Sequence, residues 1–258
     1  MELGRYGDAE RAYQKMVDLK PGPTSWCRVA YLRELRGDLE GARTLMQMAW
    51  QGIDARENED RAWLLVQRAH LEEVMGHTAD AEALLREALA GFPGYHYALA
   101  GLAEITLRAG RPEEALALAS QAIAAAPHAE RYLVLADALR SMGRIAESEE
   151  AERKFERLAE ANVGSPDNEN HDLVLFYLQR RHDPVRALSI ARLEAARRRD
   201  VHTLDRLALA LDANGRHARA RRILRAVLQS GTRDPLIASH TRAMGVAGDG
   251  AGQVDSAL

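Results

Sequence analysis

The chain has 258 residues, 35 lysines and arginines against 38 aspartates and glutamates, 47% hydrophobic residues and one cysteine. Those proportions exclude an intrinsically disordered chain, an internal disulfide framework, and a thiolate metal cluster built by one chain. The longest apolar runs, such as Ala122–Ala126 and Leu173–Leu178, fall far short of the roughly 18 residues a membrane-spanning helix needs. Met1-Glu2-Leu3-Gly4-Arg5 has no apolar run of the secretory type, so a cytoplasmic location is the default expectation, with export through an upstream leader as the alternative. Charge is unevenly spread: residues 1–167 carry a net −8 and residues 168–258 a net +5. Such asymmetry would steer an acidic partner to the C-terminal half or favour head-to-tail self-association, although solvated helix faces explain most charge runs.

Self-similarity organises the chain. Gly4, Gly37, Gly76, Gly110, Gly143, Gly215 and Gly248 stand on one ladder whose missing rung is His182, with successive intervals of 33, 39, 34, 33, 39, 33 and 33. In chain order, residues 1–20 follow the first glycine closely and hold only the second helix of a unit, with Tyr13 and Met16 on its apolar side and Pro21 at its exit. Trp26 and Ala30 lead to Gly37, and Leu39, Ala42, Leu45, Met46 and Ala49 then recur at three and four, the spacing of one apolar helical stripe. Trp26, Met46 and Phe155 are expected in the core. Extra residues at Ala55–Asp60 read as a loop. Ala69, Gly76, Ala81, Ala88 and Pro93 repeat the pattern, as do Ala103, Gly110, Ala115, Ala122 and Pro127, and then Ala136, Gly143, Ser148 and Phe155. A second polar insertion, Gly164-Ser165-Pro166-Asp167-Asn168, precedes the degenerate unit around Leu175, His182 and Ala187; Ala208, Gly215, Ala220 and Val227 restore the register.

Two amphipathic helices per unit account for the pattern. Glycine turns the chain between them through a conformation it adopts cheaply, small residues let the pair approach closely, and proline marks the exit. One pair cannot bury its stripe, so neighbouring pairs must stack.

The small, glycine, small and proline positions of Trp26, Ala30, Gly37, Ala42, Met46 and Ala49, and of Leu99, Ala103, Gly110, Ala115, Ala119, Ala122 and Pro127, resemble those of the tetratricopeptide repeat (TPR) family. Segments at Val201–Asp205 and Leu228–Asp234 are similar to the C-terminal repeats of bacterial multi-repeat members. The resemblance implies an all-α, right-handed superhelical solenoid of antiparallel helix pairs, about seven units with incomplete end repeats. Its expected divisions are an array at 1–163, a linker at 164–170 and an array at 171–258.

No phosphate loop, H-E-x-x-H helix, G-x-S-x-G elbow or dinucleotide fingerprint is present. Gly245, Gly248 and Gly250 imitate the last of these with no strand before them. His70 and His77 lack a third ligand in sequence reach, and Glu72, Glu73, Glu149, Glu150 and Glu152 read as solvated faces. Neither catalysis nor a metal or cofactor is expected. The resemblance instead implies a protein-interaction scaffold that receives a peptide or helix in a groove lined by the first helices. Counted from the turn glycine, its lining includes Cys27, Tyr31, Trp63, Val66, His70, Tyr97, Glu104, Arg108, Asp137, Arg140 and Phe176, with Asp205 and Asp212 farther along. Tyr31, Trp63, His70 and Tyr97 would form an aromatic and hydrogen-bonding stripe. Family members that clamp chaperone C-termini use lysine and asparagine where this sequence has Cys27 and Tyr31, with further basic residues where it has Gln67, Tyr97 and Gly101, so that ligand is not expected. A homo-oligomer through the end helices is a further expectation, as is a regulatory or substrate-binding arm of a larger enzyme. Nucleic acid and membrane insertion are not expected.

Overall fold

The structure, a computed structural model, describes residues 1–165 and 170–246. Every regular element among them is a helix: α1 (Tyr6–Leu19), α2 (Pro23–Leu35), α3 (Leu39–Gly52), α4 (Asn58–Val74), α5 (Thr78–Gly91), α6 (His96–Arg108), α7 (Pro112–Ala125), α8 (Arg131–Ser141), α9 (Ile145–Ala161), α10 (His171–Gln179), α11 (Pro184–Arg197), α12 (Val201–Ala213), α13 (His217–Gln229) and α14 (Pro235–Ala243). None is long and apolar enough to cross a membrane.

The ladder glycines through Gly215 turn the chain with φ between 70° and 85°, the left-handed region that L side chains avoid. His182 takes the same region at φ 52°, so the unit that lost its glycine kept the turn. Gly248 lies outside the described residues. Ala30, Ala42, Ala69, Ala81, Ala103, Ala115, Ala136, Ala187, Ala208 and Ala220 are all buried at helix contacts. Ser148 fits the series because its hydroxyl donates to the Ala136 carbonyl at 2.7 Å, satisfying the polar atom between α8 and α9. Met46 and Phe155 are buried and Trp26 packs half-buried against the core around Met46, as their spacing predicts.

The extra residues of the long intervals are only partly loop. Asn58–Asp60, expected in a turn, open α4, which runs 17 residues against 13 in α2 and α6. Glu59 and Asp60 fall in its first turn, where the helix dipole favours acidic groups. The second long interval lengthens α9 to 17 residues; the remainder of the expected loop, from Pro166, lies outside the described residues.

Two compact units emerge. The larger comprises Glu10–Glu34 and Asp38–Asn168. Within it α4 packs on α5, α6 on α7 and α8 on α9, while α4, α6 and α8 also pack side by side. Its core joins Ala30, Met46, Leu64 and Leu71 across α2, α3 and α4, and Leu65, Leu85, Tyr95, Leu102 and Ile105 across α4, α5 and α6. The smaller unit comprises Glu169–Leu258 together with Met1–Ala9 and Leu35–Gly37. In it α10 packs on α11, and α12 on α11, α13 and α14. The two N-terminal segments join this unit closely. Leu35, Met1 and Tyr6 share a core with Val201, Val227 and Ile237. Val201 N–H donates to the Tyr6 hydroxyl at 2.7 Å and Arg233 N–H to the Leu35 carbonyl at 2.8 Å. Burial pushes the Tyr6 phenol up to about 12. The unit periodicity gives no hint of these contacts.

Candidate interaction face

The first helices α2, α4 and α6 carry the three large rings expected on the lining, and all three stand in solvent: Tyr31 is 41% exposed, Trp63 40% and Tyr97 49%. Trp63 and Tyr97 occupy one register position near the starts of α4 and α6. Tyr31 and His70 occupy another, two turns on. Aromatic rings left this open, on helices that also bury Ala30, Leu64, Leu65 and Leu102 in the core, form a surface with large contact area and few rotatable bonds.

Polar residues of the predicted lining bind one helix to the next. His70 Nε2 lies 2.8 Å from Glu34 Oε1, linking α4 to α2. Arg108 donates to Glu73, linking α6 to α4, and stands 3.8 Å from Glu104. These are exposed pairs of modest strength, and they cross-link the helices that carry the rings. Val66 is half-buried against the core, and Asp137 is half-buried on α8.

Three expectations, Cys27, Phe176 and Asp205, are corrected. Cys27 is buried among Ala30, Met46 and Leu64, and burial pushes its thiol up to about 11, so it offers neither surface nor nucleophile. Phe176 is buried in the smaller unit, edge-on to Tyr177 at 5.8 Å, with the Arg181 guanidinium 4.5 Å from its ring. Asp205, expected to line the smaller unit's first helix, is buried as well. Its carboxylate stands 2.9 Å from His240 Nδ1 and 2.6 Å from the Arg206 guanidinium. Arg140 differs from these: it stays exposed on α8 while its guanidinium donates to the buried Glu152 of α9 at 2.6 Å.

Two features escape the register count. Arg61 and Arg68 lie 3.8 and 5.5 Å from the ring centre of Trp50, a cation–π arrangement between α3 and α4. Beside Tyr97, the buried Arg131 donates to the carbonyls of Ala122, at 3.1 Å, and Ala126, which end α7, and to His96 Nδ1 at 2.6 Å. His96 lies 4.1 Å from the Tyr97 ring and stacks on His128 at 5.6 Å. Burial, then Arg131 and His128, hold His96 below the ordinary histidine value. The signal for Arg131 was a charged residue at a helix start, between Glu130 and the apolar run Tyr132–Ala136, which does not disclose where the guanidinium folds.

One group among the described residues has cation-ligand proximity: Glu72, His77 and Asp80, with ligand atoms within 4.8 Å of one another. His77 Nδ1 is held 2.8 Å from Glu72 Oε2, and the Arg43 guanidinium lies 3.9 Å from the same oxygen. That arrangement pins the turn between α4 and α5 and sets a cation where a metal would compete for the same carboxylate.

Two family models, both described as tetratricopeptide repeat, match residues 75–137 and 201–233, in the larger and smaller units respectively. With the buried small residues and left-handed turns at repeat spacing, this decides the matter. The chain carries tetratricopeptide repeats. The TPR fold is seen again in solved structures. A thermophilic TPR protein of Thermus thermophilus is 18% identical with a TM-score of 0.56, covering 72% of this chain and 100% of that one. A TPR protein of Parabacteroides merdae is 15% identical with a TM-score of 0.54, covering 94% and 93%. The APC/C hetero-tetramer Cut9–Hcn1 contains a chain 17% identical with a TM-score of 0.52; the match covers 80% of this chain and 40% of that one. No curated protein sequence matches the chain. TPR units generally mediate protein–protein interaction, and TPR proteins are generally non-catalytic scaffolds.

Proposed function

We propose that this TPR protein is a scaffold that holds a peptide or short helix of another protein against the first helices of its larger unit. The observation that carries the reading is the exposure of Tyr31, Trp63 and Tyr97 on α2, α4 and α6. Their rings supply the desolvation on which interface hot spots depend, and the Glu34–His70 and Glu73–Arg108 pairs hold the platform beneath a ligand without addressing it.

A Tyr31→Ala/Trp63→Ala/Tyr97→Ala variant tests it. Half-exposed rings outside the core should cost little stability on truncation, each change within about 1 kcal/mol. The variant should therefore keep the parent's thermal midpoint while losing proteins that the parent retains from lysate of the source cells. A large fall in the midpoint would assign the rings to packing, and equal retention by both proteins would remove this face from the function.

A further inference from the structure

The charge asymmetry of the sequence has a structural counterpart that the aromatic face does not use. Helix α13 buries Ala220, Leu224 and Val227 and contains no acidic residue. Arg219, Arg222 and Arg225 are exposed along it, Arg221 is half-exposed, and exposed Arg216 is its N-cap. Among the described residues, none of these five guanidinium groups has a hydrogen-bond or carboxylate partner. Arg219 and Arg222, Arg222 and Arg225, and Arg221 and Arg225 stand three or four apart, where like charges on a helix repel. Arg216 and Arg219 also sit at the end whose dipole disfavours cations. The larger unit treats arginine differently: Arg86 and Arg111 share Glu82 and Glu114, Arg144 pairs with Glu147, and Arg153 with Glu150. The arginines of α13 work against their own helix and have no counter-charge within the described chain.

The larger unit holds a surface of the opposite sign. Glu57, Glu59 and Asp60, around the start of α4, are exposed, and among the described residues their carboxylates have no hydrogen bond or ion pair. Neighbouring Arg56 is taken by Asp54, and Arg61 lies over Trp50. We propose that the arginine face of α13 in one copy docks on the Glu57–Asp60 surface of a second copy. Guanidinium and carboxylate groups match in geometry as well as in charge. Because the two surfaces differ, the contact is heterologous and repeats head to tail. Two other polyanions fit less well. Residues 201–258 contain no Phe, Tyr or Trp on which bases could stack, and the exposed His217 of α13 is held by Asp212 at 2.7 Å, while the exposed residues of α13 offer no large apolar group to a bilayer. The inference does not depend on the aromatic face.

Sedimentation velocity of the full chain, at rising concentration in about 20 mM and about 500 mM salt, tests the contact, since salt screens exposed charges. The native chain should form larger species at low salt and lose them at high salt. Arg219→Glu/Arg222→Glu/Arg225→Glu and Glu57→Lys/Glu59→Lys/Asp60→Lys should each be monomeric alone, and an equal mixture should recover a one-to-one complex through the swapped charges. The arginine variant relieves repulsion and places an acid near a helix N-terminus, so its thermal midpoint should not fall. If it does, Arg222→Gln/Arg225→Gln, which removes charge without reversing it, should show the same loss of large species. A native chain that stays monomeric at low salt, an association that survives either reversal, or a mixture of folded variants that stays monomeric would each overturn the proposal. Salt-sensitive binding of single-stranded RNA or anionic vesicles by a monomeric native chain would overturn it too.

Discussion

Arg131 carries its charge where water does not reach, bound to two carbonyls and to His96. The bond to His96 requires an unprotonated Nδ1, so protonating that ring both removes an acceptor and sets a second cation against the first. In the unfolded chain the ring takes a proton near pH 6.5, and in the folded chain only at a lower pH, because burial, Arg131 and His128 outweigh Glu130 and Glu59. The stability this contributes is complete above about 6.5 and is lost as pH falls through the depressed folded-state value. Thermal midpoints measured between about pH 7 and pH 5 should therefore fall more steeply for the native chain than for His96→Asn, whose amide oxygen accepts without titrating. Parallel acid slopes would show that His96 contributes nothing. Cys27 yields a second expectation at this scale: buried, with its thiol pushed up to about 11, it should react with a disulfide reagent only as fast as the chain unfolds. Rapid stoichiometric modification in native buffer would contradict that placement. Both residues show where register counting stops. It finds the face of a helix on which Cys27, Tyr31 or Phe176 lies, but the neighbouring helix decides how much of that face stays open, and no local pattern encodes that Arg131 would end α7.

At the scale of the helix pair, the sequence was legible almost throughout. Matched alanines and positive-φ glycines are imposed by contact distance and backbone sterics, which act at every unit alike, so they leave a periodic trace. Deviations were harder to read. Ser148 replaces an alanine only because Ala136 offers a carbonyl, and Asn58–Asp60 became helix because acidic residues suit a helix start. The turns separate two costs that glycine avoids. Gly143→Ala meets no atom within 4 Å and should lose only the left-handed penalty, about 1–2 kcal/mol. Gly37→Ala would add a methyl group 2.7 Å from Arg233 Cβ, where backbone must move, and should lose distinctly more. Urea denaturation of the two variants checks the order, and equal losses would mean that the close approach yields freely. Ala115→Leu, a wedge between α6 and α7, should cost about 1–3 kcal/mol by the same measurement.

The whole molecule departs from a simple string of units because Met1–Ala9 and Leu35–Gly37 belong with the C-terminal repeats. In a repeat array stability is a sum of neighbour terms, and shortening one end is felt there first. Here, removing residues 1–5 deletes the Glu2 carbonyl that accepts from Arg199 N–H at 2.6 Å and exposes Tyr6 beside Val201. Hydrogen exchange should accelerate at Val201, Leu204 and Val227 in that truncation, while Leu64, Leu85 and Leu102 in the larger core keep the protection of the native chain. Faster exchange confined to α1 would show that the N-terminal segment only rests on its partners. None of this was visible in the ladder, since periodicity reports what each unit shares and these contacts occur once.

The hydrogen bond between Tyr6 and Val201 joins residues 195 apart in sequence. Closing so long a segment costs entropy that local helix pairs never meet, and contacts of such separation slow folding. A ribosome makes Tyr6 long before Val201, at about 5–20 residues per second. For about 10–40 seconds the larger unit can assemble pair by pair while Leu35 and Tyr6 still lack the surfaces that will cover them, so the smaller unit is the last part of the protein to acquire its structure although it owns some of the earliest residues.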